Sequence, residues 1–167
     1  SGRIHTFELI EIFRQALESP IIINAHKVRN GEQPDMEKRE ESEKLTEFYF
    51  IEQGNPGTVV NTIVELCSSR IPDRFNLDST RDIQVLAPMH RGEVGTINLN
   101  RELQAILNPK PVFGAAASKF RINDKVMHLK NNYQKEVFNG DIGTVCDLEQ
   151  SSRELRVDYG DRKVKYD

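Results

Sequence analysis

Two short stretches of the chain carry side chains suited to engaging a nucleic-acid strand. In Pro88-Met89-His90-Arg91-Gly92, followed by Gly95 and Thr96, an imidazole and a guanidinium stand beside glycines that permit close backbone approach. That set can contact phosphate oxygens or stack on a base. In Lys130-Asn131-Asn132-Tyr133 an aromatic ring is flanked by amides and a cation, which suits stacking on unpaired bases. Each stretch also has a plainer reading: a glycine-containing turn with Thr96 as a helix cap, and the polar ends of a hairpin. Asn24 and His26 share a helical segment with Ile21, Ile22 and Ile23, and packing inside the domain accounts for them better than ligand contact does. Arg14, taken alone, reads as a surface arginine pairing with Glu11 or Glu18.

Other chemistries find less support. Cys67 and Cys146 lack partners at zinc or redox spacing, and His5, His26, His90 and His128 are scattered, so no metal site is expected. No Gly-rich loop ending in Gly-Lys-Thr or Gly-Lys-Ser is present, nor an acidic Mg²⁺ motif, so nothing in the chain can cradle nucleotide phosphates. The longest apolar run, around Ile21–Ile23, is far short of the roughly 20 residues a bilayer requires. With no secretory leader pattern at the N-terminus, a cytoplasmic location is expected. The formal charge of −3 argues at first against a polyanionic partner. The charge is uneven, however: residues 1–109 carry a net −5 and residues 110–167 a net +2. Six acids against three bases between Asp35 and Glu47 make that stretch a solvated loop.

The elements that must hold these groups follow from pattern. Residues 5–9 suit a strand and residues 10–16 a helical turn. Ser19-Pro20 marks a helix start, with Ser as cap and Pro at the first helical position, and Gly31 as its left-handed stop. Glu47–Glu52, with Phe48, Tyr49, Phe50 and Ile51, predicts a buried strand. Asn55-Pro56 repeats the helix-start signal ahead of Val59, Val60, Ile63, Leu66 and Cys67 at helical spacing. Ile83, Val85 and Leu86 suit a second strand over 82–87, and Leu99, Leu103, Ile106 and Leu107 line a helix stopped by Asn108-Pro109. Strands alternating with helices predict a parallel sheet. After a Pro- and Ala-rich linker at 110–118, short alternating segments at 125–129, 143–148, 154–159 and 163–166 are separated by turn residues, which predicts a small antiparallel barrel.

Three blocks in this order resemble the RecD/TraA type of superfamily-one DNA helicases. The first is Leu9 to Ala16, continuing through Ser19 to Asn24-Ala25-His26-Lys27-Val28-Arg29-Asn30-Gly31. The second is Val85-Leu86-Ala87-Pro88-Met89-His90-Arg91-Gly92-Glu93-Val94-Gly95-Thr96, on to Leu107-Asn108-Pro109. The third is Asn123-Asp124-Lys125-Val126-Met127 with Asn131-Asn132-Tyr133 and Val137-Phe138-Asn139-Gly140-Asp141-Ile142-Gly143-Thr144-Val145. The likeness extends over nearly the whole chain.

The resemblance implies an α/β fold. Residues 1–109 would be part of a RecA-like (P-loop NTPase-type) motor domain, 110–118 a linker and 119–167 an SH3-like β-barrel insertion. It implies a parent that is an ATP-dependent 5′-to-3′ DNA helicase using ATP and Mg²⁺. Arg14 would be the arginine finger reaching the γ-phosphate, with Gln15 near the nucleotide. The single-stranded DNA track would include Pro88, Met89, His90, Arg91, Gly92 and Thr96, with Lys130, Asn132 and Tyr133 on the barrel. Partners implied are single-stranded DNA, a first RecA-like domain of the same parent chain, and other subunits of a nuclease–helicase complex; no membrane partner is expected. The start at Ser1-Gly2-Arg3, inside what resembles a continuing motor domain, is expected to be a piece of a longer protein, without ATPase activity of its own. The competing reading is a stand-alone binding module with no chemistry.

Overall fold

The computed structural model describes residues 19–36, 47–109, 119–149 and 154–166. The expected strand and turn at 5–16, Arg14, Gln15 and the linker at 110–118 lie outside the described residues. The chain divides into two compact units, residues 1–52 and residues 53–167.

In the first unit, α1 runs Pro20–Arg29 and stops at Asn30, with Gly31 in the left-handed region at φ 79°. Proline opens the helix as expected, but Ser19 makes no side-chain cap; its hydroxyl donates to Glu47 Oε2 at 2.6 Å. The charged acceptor makes this a short, strong hydrogen bond that ties the helix start to Glu47. Asn24 is buried, and its Oδ1 accepts from the Asp35 backbone N–H at 2.7 Å, which makes it a structural residue. The segment 47–52 forms no helix and pairs with no strand among the described residues, and Tyr49, Phe50 and Ile51 are exposed. The aromatic and β-branched composition specifies extended backbone; a strand also needs a neighbour.

In the second unit, Asn55 caps α2 (Pro56–Glu65) by accepting from the N–H groups of Gly57 and Thr58 at 2.9 and 3.3 Å. The helix then widens into a π-helical turn, Leu66–Arg70, before α3 (Ile71–Phe75). Pro72 has no N–H to give the helix ladder, and the Ile71 N–H reaches back to the Leu66 carbonyl. Val60 and Cys67 bury the inner face together with Leu99 of α4 (Thr96–Leu107). Residues 83–87 form neither helix nor ladder, and Leu86 is 87% exposed. The second expected strand therefore stands like the first. The parallel sheet is not seen among the described residues, where the one multi-stranded sheet is antiparallel.

That sheet matches the expected barrel segments closely: β1 Lys125–Met127, β2 Ile142–Glu149, β3 Glu154–Asp158 and β4 Lys163–Tyr166, in the order β1-β2-β3-β4. Val145, Val157 and Val164 are buried on one face, and Val137, from the β1–β2 connection, is fully buried as well. Register shifts between Val145 and Asp147, a bulge at Cys146. Among the described residues no backbone pairing joins β4 to β1, but their ends meet through side chains. Tyr166 Oη lies 3.3 Å from His128 Nδ1, with ring centroids 5.7 Å apart. In a flat four-stranded sheet the outer strands would be about 14 Å apart, three spacings of about 4.8 Å. The contact requires the sheet to curl toward closure.

Candidate nucleic-acid interface

Residues 88–96 form a tight loop leading into α4. The Thr96 and Ile97 N–H groups donate to the carbonyls of Met89 and His90 at 3.0 and 3.3 Å, and the Gly95 N–H to Gly92 at 3.1 Å. Three of the four donors left over at a helix start are thus satisfied by the loop itself. The Asn98 amide nitrogen adds a bond to the Glu93 carbonyl at 2.8 Å. Two glycines make this closure possible. Gly92 sits at φ 93°, a left-handed conformation that costs an L side chain energy. A Cβ on Gly95 would lie 2.5 Å from the Arg91 carbonyl oxygen and 2.8 Å from that of His90.

Because the loop spends its amides internally, a strand laid across it meets side chains. His90 Nδ1 is fixed 2.9 Å from Thr96 Oγ1, which orients the imidazole. Pro88, Met89, His90 and Arg91 are all exposed. Arg91 makes no hydrogen bond or ion pair among the described residues, so its guanidinium is available to a phosphate. Thr96, the expected cap, is instead the first residue of α4, after Gly95.

The second stretch is the connection between β1 and β2. Asn132 and Val137 exchange backbone hydrogen bonds at 2.7 and 3.1 Å. Asn132 Oδ1 accepts from the Lys135 N–H at 3.0 Å, and Asn131 Oδ1 from the Asn139 N–H at 2.8 Å. Both amide oxygens are committed to holding the turn. Lys135 is likewise occupied: its ammonium donates to the Lys165 carbonyl and lies 4.7 Å above the Tyr166 ring. Tyr133 is 75% exposed and braced edge-on by Phe138, centroids 5.9 Å apart. Lys130 is exposed beside it. Tyr133 and Lys130 are therefore the two side chains of this stretch best able to reach a ligand.

Beneath these surfaces lies a network that sequence reasoning missed. Asp124 is 9% exposed, and its carboxylate accepts from Gln104 Nε2 at 2.5 Å, Asn108 Nδ2 at 2.9 Å and the Arg121 N–H at 2.7 Å. Arg121 Nη1 donates to the carbonyls of Asn108 and Gln104 at 2.7 and 3.3 Å, placing a cation at the negative end of α4. These bonds cross the expected boundary between 109 and 119. Upstream, Asp78 Oδ1 receives the N–H groups of Thr80 and Arg81, and Asp82 Oδ2 that of Asp78. Hydrogen bonds from the Arg81 guanidinium, then from the Asp78 backbone, hold the Asp82 carboxyl down to about 2.

Residues 99–159, from within α4 to just past β3, match the SH3 domain family of ATP-dependent RecD-like DNA helicases. The chain is also 33% identical over 161 residues to the ATP-dependent RecD2 DNA helicase of Deinococcus radiodurans, an alignment covering 96% of this chain and 20% of that protein. Both matches are to RecD-like DNA helicases and support a RecD-type origin for this chain. The chain spans about a fifth of the length of this RecD2 relative. The SH3 match agrees with the antiparallel meander, and its start within α4 agrees with the Asp124 network that joins α4 to the sheet.

Proposed function

We propose that this chain is the part of an ATP-dependent DNA helicase that combines a portion of the second RecA-like motor domain, residues 1–109, with a linker, 110–118, and an SH3-like domain, 119–167. The observation carrying this reading is the 33% identity to a RecD2 helicase across 96% of the chain. The closed loop with the outward-facing Arg91 supports it. Single-stranded DNA is the proposed ligand, met by His90 and Arg91 on the loop, with Pro88, Met89, Gly92 and Thr96 shaping it, and by Lys130 and Tyr133, with Asn132 setting their turn. Polarity is proposed as 5′-to-3′ from the resemblance.

ATP and Mg²⁺ are proposed to bind elsewhere in the parent protein, since the chain has no phosphate-cradling motif. Arg14, with Gln15 beside it, is proposed to face that nucleotide as the finger. A guanidinium keeps its charge and offers a planar fork of donors to phosphate oxygens. The test is Arg14→Ala in the full-length parent, which should retain ATP binding while turnover falls about a thousandfold. Arg14→Lys should rescue poorly. Wild-type turnover in Arg14→Ala would reduce Arg14 to a surface residue. The isolated chain should hydrolyse no ATP, and DNA-stimulated turnover by the purified chain would overturn that.

A further inference from the structure

We propose that Lys125 is a positioning residue that, with Asp124 beside it, makes the 88–96 loop and the SH3-like sheet one rigid DNA-gripping body. The proposal rests on the reading of 88–96 and 130–133 as strand contacts.

The loop has two flanks, and the two residues that open the sheet hold one each. Downstream, the last turn of α4 is fixed by Asp124 through Gln104 and Asn108. Upstream, the leg 81–87 belongs to no ladder, and Lys125 Nζ donates to its carbonyls at Ile83 (2.9 Å) and Arg81 (3.3 Å). Among the described residues these are the only hydrogen bonds from 81–88 to the sheet. The half-buried ammonium does for this leg what a neighbouring strand would otherwise do. It also lies close enough to Asp82 to help hold that carboxylate in its charged form. Both anchors are fixed to β2: the Val145 N–H donates to the Asp124 carbonyl at 2.9 Å, and Lys125 is in register with Thr144.

Two contacts on one rigid body bind a strand better than two on a loose one, because engaging the first raises the effective concentration of the second. A methionine at 125 keeps the apolar stem and loses the donor, freeing the upstream leg while Asp124 still holds α4. Fluorescence anisotropy on the full chain, with oligonucleotides of roughly four and roughly sixteen nucleotides, reads the consequence. Lys125→Met should weaken the long oligonucleotide about tenfold and the short one less than about twofold, with Lys125→Arg restoring the long-strand affinity. Equal weakening on both lengths, no weakening on the long one, or failure of Lys125→Arg to rescue would each overturn the proposal. Failure of the underlying reading looks different: the wild-type chain would then bind neither length.

Discussion

Removing the Asp124 carboxylate should be among the most damaging single changes in the second unit. Asp124→Ala deletes three accepted hydrogen bonds in a site that is 9% exposed at its centre: the Arg121 N–H loses its acceptor, while the Gln104 and Asn108 amides each keep only a bond to a backbone carbonyl, of Lys119 and Ile122. Leaving a donor unsatisfied costs about 1–3 kcal/mol. The three groups share one carboxylate, so their costs do not simply add, and a total of about 3–5 kcal/mol is expected. Asp124→Asn keeps the shape but turns an NH₂ toward donors, costing about 1–3 kcal/mol. Urea denaturation, with a slope of about 2 kcal/mol/M, would then move the midpoint down by roughly 1.5–2.5 M for Asp124→Ala. Should that variant fail to fold, a cycle of Gln104→Ala with Asp124→Asn isolates the pair, with a coupling of about 1 kcal/mol or more expected. A midpoint shift below roughly 0.5 M, or additive behaviour in the cycle, would refute the argument that this network joins α4 to the sheet.

Gly143→Ala should destabilise the sheet by about 1–3 kcal/mol, since the new Cβ would meet Val157 Cγ1 at 2.5 Å and the Asp158 carbonyl oxygen at 2.8 Å; an unchanged midpoint would show that β3 yields freely. Acid should loosen the 78–82 turn in a defined window. Asp82 is depressed in the folded state to about 2, so its contribution is full above about pH 4, the unfolded value being about 3.9, and is lost as pH falls toward 2. Melting of the wild type and of Asp82→Asn across that range should converge at the acid end; curves that stay parallel would remove the turn's role.

The helix starts were legible because Asn55-Pro56 and Ser19-Pro20 write their geometry locally, through a fixed proline φ and a polar residue ahead of it. The sheet was legible for a similar reason: Gly140 and Gly160 sit at positive φ in the turns between alternating segments. Residues 47–52 and 82–87 misled because β-branched and aromatic composition specifies an extended backbone and not its partner. The π-helical turn at 66–70 depends on Pro72 acting within an otherwise regular pattern. In the candidate interface, residue types pointed to His90, Arg91, Lys130 and Tyr133. They gave no hint that the oxygens of Asn131 and Asn132 are consumed by their own turn. The Asp124 network joins residues 16 and 20 positions apart, and no local pattern reports such pairs. An Asn-Asp-Lys triplet after a linker is a turn signal until the helix packed against it is known.

The most direct test of the account is the affinity of the chain for a labelled single-stranded oligonucleotide, measured across a range of salt for the wild type, Arg91→Ala and Tyr133→Ala. Weak binding is expected, with a salt dependence equivalent to roughly two to four phosphates at about 0.7 per contact. Arg91→Ala should reduce that dependence by about one contact, and Tyr133→Ala should weaken binding by about 1–3 kcal/mol at unchanged salt dependence, as loss of a stacked ring does. Tight, salt-insensitive binding, or binding undiminished in both variants, would contradict a DNA track built from these two surfaces.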